Sequence, residues 1–439
     1  MWNLAQRLRP QGVLWHNRDF LCLWSGQTIS QFGSQITGLA LPLVAILLLD
    51  ASAFEVAALG VVEFVPFILF SLPAGAWVDR LRRRPILIVA DWGRAVGLAT
   101  VPLAYFLDAL TMGQLYVVGF VVGAFTVVFD VSYQSYLPSL VERDELPDAN
   151  GKLEVTRSAA QTAGPGAAGV LISAFSAPFA ILIDAISFLA SALFVTAIRR
   201  EESLPEREAT EKGRLRSEIA VGLRFVVRHP IMRPNLIYVS LSNFFYSAVF
   251  SIYLVYAVRD LDLSAATIGI IGSLGSLGTL AGAIVASRLG RDFGTGPVMI
   301  GAAAAGNFSL FFIPLASGTL VIPLLVASGL ILGFSAVVYN VVGISLSQQI
   351  TPDRMLGRMN ASRRFVVWGV IPLGMLGGGA LGTAIGLRET MWIAAGCCSL
   401  CFLTLFASPL RAIRTVADAE QLVGGYNERF TLSSASTSD

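Results

Sequence analysis

The sequence predicts an all-α membrane protein with twelve transmembrane helices in two six-helix bundles. Composition is the first observation behind this prediction: of the 439 residues, 55% are hydrophobic and 14% are charged, whereas about a quarter of a soluble globular chain is charged. A soluble core cannot bury such a surplus of apolar residues, so a lipid bilayer is the solvent that accommodates it. Glycine is abundant, with 42 residues, as expected where transmembrane helices approach one another closely.

The spacing of the apolar runs is the second observation. A helix needs about 20 apolar residues to cross the hydrocarbon core of a bilayer. The first run follows a polar, basic segment and is itself a span, so we expect no cleavable signal peptide. The predicted spans are 20–49, 54–78, 86–107, 113–137, 153–175, 179–198, 235–258, 266–288, 297–317, 320–348, 360–385 and 390–408.

An internal repeat is the third observation, and it divides the spans six and six. Segment 140–146 follows the fourth span of the first six, and segment 349–355 follows the fourth span of the second six. After each segment comes an asparagine, Asn150 or Asn360, and then a span rich in glycine and proline. The predicted organisation is a cytosolic N-terminus 1–19, an N-terminal six-helix bundle 20–198, a cytosolic linker 199–234, a C-terminal six-helix bundle 235–408 and a cytosolic, disordered tail 409–439.

The positions of lysine and arginine predict the orientation. Basic residues concentrate at the N-terminus, in the even-numbered connections and in the tail, while Arg259 and Arg388 lie in the opposite set and Arg94 lies inside a span. Since cytoplasmic loops carry the excess of basic residues, we expect both termini in the cytoplasm. The expected location is the cytoplasmic (inner) membrane of a bacterial cell.

The connection after the second span carries a glycine, a carboxylate and several arginines, namely Gly75, Asp79, Arg80, Arg83 and Arg84. A carboxylate at the membrane edge can face the positive N-terminus of a neighbouring helix. The arginines can anchor the connection on the cytosolic side. The pattern therefore indicates either a gating element or a plain basic anchor.

This connection resembles the loop motif Gly-x-x-x-Asp-Arg-x-Gly-Arg-Arg of the major facilitator superfamily, with Arg82 where the family has glycine. The resemblance implies two six-helix halves that alternate access to a substrate site at mid-membrane. It also implies that Asp79 and Arg83 latch the cytosolic gate in the outward-open state. The docking surface implied for this latch is the start of span eleven, near Arg363 and Arg364.

A second motif lies in the fifth span, where Gly164 and Pro165 are followed by Gly169. Proline kinks a helix because it removes a backbone donor. The segment resembles the Gly-Pro-x-x-Gly-Gly motif of drug:proton antiporters in the same superfamily, with Ala168 at one glycine position, and this resemblance implies export. The alternative is a kinked, tightly packed helix. Shorter stretches, such as 184–188, resemble the macrolide-efflux and enterobactin-exporter-like branch.

Five ionisable residues lie inside predicted spans: Glu63, Asp91, Arg94, Asp130 and Asp184. A charged group costs about 2.5–3.5 kcal/mol at the centre of a spanning helix, so each of these is a functional candidate. Asp91 and Arg94 are one helical turn apart, and we expect them to form a structural ion pair. Glu63 and Asp130 are the first candidates for proton coupling. Asp184 is a third candidate and is equally suited to be a structural hydrogen-bond acceptor.

Polar side chains in several spans predict the substrate cavity. Glutamines recur every four residues in span one, and amides, hydroxyls and rings form a face of span seven; by the resemblance, both spans line the cavity. Such a lining suits a bulky, partly apolar solute. It does not suit a phosphate or sulfate, which would call for arginines. For each residue the alternative is hydrogen bonding between helices. The candidates are Gln27, Gln31, Gln35, Tyr133, Gln134, Asn243 and Tyr246.

The functional hypothesis is a secondary active transporter that exports a small, amphipathic molecule, drug-like or siderophore-like, in exchange for protons. A lipid or lysolipid flippase of the same fold, or an importer, is the alternative. The sequence does not predict an enzyme, because no catalytic cluster or nucleotide-binding loop is visible. We expect no cofactor and no metal. The expected partners are a small-molecule substrate, protons and membrane lipid, without nucleic acid, and the expected state is a monomer.

Overall fold

The computed structural model describes residues 13–78, 81–200, 202, 223–351, 353–415, 417–419 and 421–422. Asp79 and Arg80 of the loop motif, most of the predicted linker and the end of the predicted tail lie outside these residues. In the described part the regular structure is helical, and no strand occurs there.

The long helices of the first half are α1 (Arg18–Leu48), α2 (Ala53–Val78), α3 (Arg83–Phe106), α4 (Met112–Leu140), α5 (Leu146–Phe175) and α6 (Ala177–Thr196). A short helix at 223–228 precedes the second half. The second half contains α7 (Met232–Arg259), α8 (Ala265–Phe293), α9 (Thr295–Ser309, extended by Phe312–Leu315), α10 (Val321–Ile350), α11 (Asp353–Gly369 and Ile371–Ile385) and α12 (Leu387–Cys401, extended by Leu403–Phe406). Each predicted span overlaps one of these helices.

Eleven of the described helices are long and apolar enough to cross a membrane. The other long helix is α5, whose first half carries charged side chains that include Lys152, Glu154 and Arg157. The same polarity explains why α5 begins at Leu146, ahead of the predicted 153, since a search for apolar runs misses polar turns. That α5 also crosses the membrane, as the predicted count of twelve spans requires, stays a prediction.

The described residues cluster into two compact units. The first unit draws on Met1–Ala51, Val62–Glu208 and Ser264–Gly269, and the second on Ser52–Val61, Ala209–Leu263 and Ile270–Asp439. The beginning of α2 therefore belongs to the second unit and the beginning of α8 to the first. The predicted division into bundles 20–198 and 235–408 does not include this exchange, because the exchange depends on contacts between helices that are distant in the chain.

A core of the first unit lies at the end of the helices where α1 and α3 begin. Phe20 and Leu23 of α1 pack there with Leu87 of α3 and with Phe129 and Tyr136 of α4, all of them buried. The amide of Asn17 fixes the entry to this core: its Oδ1 accepts from the Phe20 backbone N at 3.0 Å, and its Nδ2 donates to the Leu140 carbonyl at 2.9 Å. The start of α1 is thereby tied to the end of α4.

Among the described residues of the second unit, two clusters of buried side chains lie at opposite ends of the helices. The first contains Met299, Leu346 and Leu405, and the second contains Ile252, Leu310 and Met391. These large aliphatic side chains fill the spaces between α7, α9, α10 and α12. Between the two cores lie the polar side chains of the cavity described below.

The beginning of the predicted tail is ordered. Leu410 and Ile413 are buried, and the Gly296 backbone N donates to the Ile413 carbonyl at 2.8 Å. The chain after α12 therefore packs against the first turn of α9. The prediction of disorder from residue 409 onward was based on polar composition, which missed these two apolar residues.

Candidate functional site

The second unit contains a cavity of about 450 Å³ between α7, α9, α10 and α11. Asn243 and Tyr246, which the sequence predicts as cavity residues, line it together with Tyr238 and Ser242 of the same helix. Tyr253 of the same helix is not among the lining residues; it packs against the core around Ile252. The two candidates that the sequence names on α7 thus lie on the face of the helix that meets the cavity.

A buried amide of α9 positions two of the cavity tyrosines. Asn307 has no exposed surface, and its Oδ1 accepts hydrogen bonds from the hydroxyls of Tyr246 at 2.7 Å and Tyr238 at 3.4 Å. Its Nδ2 donates to the Cys398 carbonyl at 2.8 Å. Because all its polar atoms are engaged within the protein, Asn307 holds the tyrosines rather than a solute. Sequence reasoning missed this residue, although a single amide in an otherwise apolar helix is a signal for it.

A third tyrosine completes the aromatic wall. The Tyr339 hydroxyl of α10 donates to Oδ1 of Asn235, and the Tyr339 ring lies 5.0 Å from the Tyr238 ring, centroid to centroid. Neither Asn235 nor Tyr339 was predicted as a cavity residue. The paired rings and amides give the cavity a fixed wall that combines apolar faces with polar groups.

Two arginines of α11 also line the cavity, contrary to the expectation of an arginine-free lining. Arg363 and Arg364 both contact it, and the Arg364 guanidinium stacks 3.8 Å from the Trp368 ring centroid. The resemblance implied that both arginines form the docking surface of the gate. Their docking with Asp79 stays a prediction, because Asp79 lies outside the described residues.

The first unit contains the ion pair expected from the sequence. Arg94 Nη2 bonds Asp91 Oδ1, and both side chains are buried. The guanidinium lies between the rings of Phe129, at 4.2 Å, and Phe188, at 4.1 Å. A cation held between two aromatic faces is further stabilised by their quadrupoles. The pair therefore joins α3 to α4 and α6, as a structural element does.

The two leading candidates for proton coupling have a different setting. Among the described residues, the carboxylates of Glu63 and Asp130 form neither an ion pair nor a hydrogen bond, and both are half-buried. The Arg94 charge acts on Asp130. At Glu63 the helices α2 and α4 meet closely, since a Cβ on Gly123 would lie 2.7 Å from the Glu63 carbonyl oxygen.

The third candidate, Asp184, is hydrogen-bonded on both oxygens. Ser187 donates to Oδ1 at 2.8 Å, and Thr37 of α1 donates to Oδ2. The residue is buried, and Gly33 lies directly against its carboxylate. Of the two alternatives left by the sequence, this geometry favours a structural acceptor that ties α6 to α1.

The predicted glutamine stripe of α1 is only partly accessible. Gln27 is buried, Gln31 and Gln35 are half-buried, and a Cβ on Gly164 would lie 2.5 Å from Cγ of Gln35. Gln35 is therefore packed against α5. Of the other pair predicted here, Tyr133 is half-buried and stacks 6.0 Å from the Phe129 ring, and Gln134 is exposed.

Pro165 and Gly169 of the α5 motif contact the beginning of α8 within the first unit. A Cβ on Gly169 would overlap the Ala265 carbonyl oxygen, and a Cβ on Gly269 would overlap the Pro165 carbonyl oxygen. Here the two backbones touch without intervening side chains. The motif is thus a close-packing surface, with the Ser173 hydroxyl accepting from the Ala266 backbone N at 3.0 Å.

The arginines of the loop motif bond within the first unit. Arg83 Nη1 pairs with Oε1 of Glu202 at 3.2 Å, and Oε2 of Glu202 accepts from the backbone N of Arg83 at 2.7 Å. The Arg84 Nη2 donates to the Thr196 carbonyl at 2.6 Å. Glu202 caps the positive end of α3 and Arg84 the negative end of α6, as helix dipoles favour. A Cβ on Gly75 would meet open space.

Comparison with known proteins identifies the family of this chain. Residues 23–319 and 236–435 match the Major Facilitator Superfamily. The chain is 26% identical over 368 residues to the multidrug efflux pump Tap of Mycolicibacterium fortuitum, covering 82% of this chain and 88% of that protein. It is 24% identical over 180 residues to macrolide efflux protein A of Streptococcus pyogenes, covering 41% of this chain and 44% of that protein.

Solved structures share the fold. A bacterial homologue of the iron transporter ferroportin, in its inward-facing state, superimposes with a TM-score of 0.71 at 16% identity, covering 90% of this chain and 99% of that chain. At this identity the likeness concerns the fold alone. The family match extends over most of the sequence, and the helices and their apolar surfaces agree with it. The chain therefore belongs to the Major Facilitator Superfamily and is a multi-pass membrane transporter, not an enzyme.

Proposed function

We propose that this transporter exports a small, amphipathic, drug-like or siderophore-like molecule from the cytoplasm by alternating access, in exchange for protons. The cavity of the second unit carries this proposal, because its wall offers rings and amides together in a volume of about 450 Å³. Cavities of such mixed character bind partly apolar solutes and orient them through a few polar groups. The names of the relatives, a multidrug efflux pump and a macrolide efflux protein, support the direction of transport.

The orientation proposed for this function places both termini in the cytoplasm and divides the chain at the basic linker. The distribution of arginine and lysine supports it. Labelling of single cysteines introduced near Arg207 and near Arg388 tests it in intact cells. If a cysteine near Arg207 were labelled from outside the cell, the proposed orientation of the protein in the membrane would be wrong.

Protons would be carried by Glu63 or Asp130 of the first unit. One proton that moves through about 100 mV releases about 2.3 kcal/mol, while a tenfold concentration ratio costs about 1.4 kcal/mol. Exchange for one proton thus sustains a gradient of about fortyfold for a neutral solute. Asp184 is less suited to this role, since hydroxyl groups already bond both of its oxygens.

The first test compares accumulation of candidate drugs in cells with and without the protein, before and after an uncoupler is added. In inverted vesicles, addition of an exported substrate should alkalinise the lumen. We expect Glu63→Gln or Asp130→Asn to abolish this alkalinisation, because the amide cannot release a proton. If both variants still alkalinise the lumen, neither carboxylate is the proton carrier.

Matched controls for this test lie in α5. The side chains of Glu154 and Asp148 are 60% and 55% exposed, so Glu154→Gln and Asp148→Asn remove carboxylates of the same types from a solvated face. Both controls should alkalinise the lumen as the unmodified protein does. Equal loss in a control would show that the assay reports expression rather than coupling.

A flippase for lipids or lysolipids is the second candidate, and one feature favours it. An open-sided groove of about 620 Å³ lies between α8, α9 and α10, with a lining that is apolar except for Ser335. Ala302 and Ser335 line both this groove and the cavity. Translocation of a fluorescent lysolipid in reconstituted vesicles, with no transport of water-soluble drugs, would favour the flippase over the exporter.

A further inference from the structure

Building on the proposed function, we propose that the cavity of the second unit selects solutes with an acidic group, which Arg363 and Arg364 hold beside the aromatic wall. This assigns a chemical class to the substrate: among the small amphipathic molecules proposed above, it selects those that carry a negative charge. It also gives the two arginines a role other than the docking surface of the gate.

The charge of the lining is the first observation. The lining residues, all of them within the described part of the chain, include two arginines and no aspartate or glutamate. The other polar lining groups are amides and hydroxyls, which carry no charge. A concave surface with charge of one sign concentrates solutes of the opposite sign. The lining therefore favours an anion and disfavours a cation.

The availability of the two guanidinium groups is the second observation. Within the part of the chain that the structure describes, neither Arg363 nor Arg364 forms an ion pair. The guanidinium carbon of Arg364 lies 3.8 Å from the Trp368 ring centroid, and Arg364 is exposed. Arginine in this setting binds a carboxylate through two parallel hydrogen bonds.

The face of α11 is the third observation. The residues of α11 that line the cavity follow the spacing of one helical stripe: Asn360, Arg363, Arg364, Val367 and Trp368. The two cations occupy one turn, and the apolar pair Val367 and Trp368 occupies the next turn. Four residues of helix rise about 6 Å. The stripe thus fits a solute whose acidic group lies about one helical turn, 5.4 Å, from a ring or other apolar body.

The experiment uses three probes with one ring system: 2-naphthoate, the neutral 2-naphthamide and the cationic 2-naphthylmethylammonium. The full-length protein is placed in nanodiscs of phosphatidylcholine, which has no net charge, and binding is measured by equilibrium dialysis against empty nanodiscs. We expect naphthoate to bind about tenfold more tightly than the amide, as a charge-assisted hydrogen bond allows, and the cation to bind most weakly. Equal affinities, or no binding of naphthoate, would overturn the proposal.

Substitution of the arginines tests their role directly. In the double variant Arg363→Gln, Arg364→Gln, the affinity for naphthoate should fall to that for naphthamide, while naphthamide still binds and so reports a folded cavity. The charge reversal Arg363→Glu, Arg364→Glu should make the cation the preferred probe. Arg411→Gln is the matched control, because Arg411 is exposed and lies outside the cavity; it should leave all three affinities unchanged.

The same variants separate this inference from its rivals. If the double variant keeps full affinity for naphthoate and Asp79→Asn reproduces its transport defect, the arginines serve the gate and the inference is wrong. If naphthoate has no advantage but cells still export neutral drugs, the inference fails and the proposed function stands. If naphthoate binds selectively but no solute is exported, the proposed function fails alone.

Discussion

At the scale of single residues, the protein treats its intramembrane charges in two ways. Asp91 and Arg94 neutralise each other between two phenyl rings, and hydroxyl groups bond both oxygens of Asp184. The carboxylates of Glu63 and Asp130 form no ion pair and no hydrogen bond with the described residues, although the Arg94 charge also acts on Asp130. Because an uncompensated charge in a membrane protein is costly and is retained where it has a use, the second group is where we expect proton chemistry.

The buried pair makes a prediction about stability. Arg94→Met leaves the Asp91 carboxylate buried without its cation, which should lower the free energy of unfolding by about 3–5 kcal/mol. The double variant Asp91→Leu, Arg94→Met should lose less, since no buried charge is left unpaired. Thermal unfolding in one detergent measures both.

An exposed pair in α5 is the control for this prediction. Arg157 bonds Glu154 at 2.8 Å with both side chains more than half exposed, and Arg157→Met should cost about 0–1 kcal/mol. If Arg94→Met unfolds at the same temperature as Arg157→Met, the pair at Asp91 does not stabilise the fold.

At the scale of helices, caps and close contacts decide where an element begins and what it touches. The start of α7 is an example. His229 is buried, and its Nδ1 accepts from the backbone N of Ile231 and of Met232, each at 3.2 Å. Only the neutral imidazole can accept at this nitrogen.

This cap predicts a dependence of stability on pH. Burial lowers the pKa of His229 from 6.5 to about 4, so the unfolded chain binds a proton here at a higher pH than the folded one. The stability contributed by the neutral cap is complete above pH 6.5 and is lost as the pH falls towards 4, in total about 3 kcal/mol. Unfolding midpoints measured across this range should fall with pH. His229→Asn, which accepts without titrating, should flatten that part of the profile; an unchanged slope would contradict the prediction.

The contact of α5 with the beginning of α8 predicts a position where even one methyl group is harmful. Gly169→Ala places a Cβ against the Ala265 carbonyl oxygen. A backbone atom cannot move away from this contact as the end of a flexible side chain can. We expect a lower unfolding midpoint and reduced transport. Gly151→Ala in the same helix is the control, since a Cβ there meets open space, and it should keep transport intact. Full activity of Gly169→Ala would show that the contact is not required.

At the scale of the whole molecule, transport depends on alternation between states, and the loop motif makes the prediction for this scale. Asp79→Asn should impair efflux while the protein still accumulates in the membrane, because the amide lacks the charge implied for the latch. Asp144→Asn, an exposed carboxylate in the connection between α4 and α5, should have no effect. Unchanged efflux in Asp79→Asn would remove the gating role.

Much of the fold and part of the site follow from the sequence. Apolar runs located the helices, and the spacing of polar residues in α7 placed Asn243 and Tyr246 on one face, which does line the cavity. The predicted starts of α5 and α11 lie too late in the chain, because the first turns of both helices are polar. The position of Arg363 in the cavity lining and the bonds of Asn307 to the tyrosines were missed, because each depends on the helices that surround the residue.

The sequence by itself determined that the chain is embedded in lipid, which segments form its helices, and which residues share a face of one helix. These features depend on composition and on the helical period. Only the tertiary structure decided which faces meet. Thr37 bonds Asp184 across 147 positions, and Tyr246 bonds Asn307 across 61. In lipid both the packed and the exposed faces of a helix are apolar, so hydrophobic patterning carries little information about partners, and the packing of particular side chains settles them.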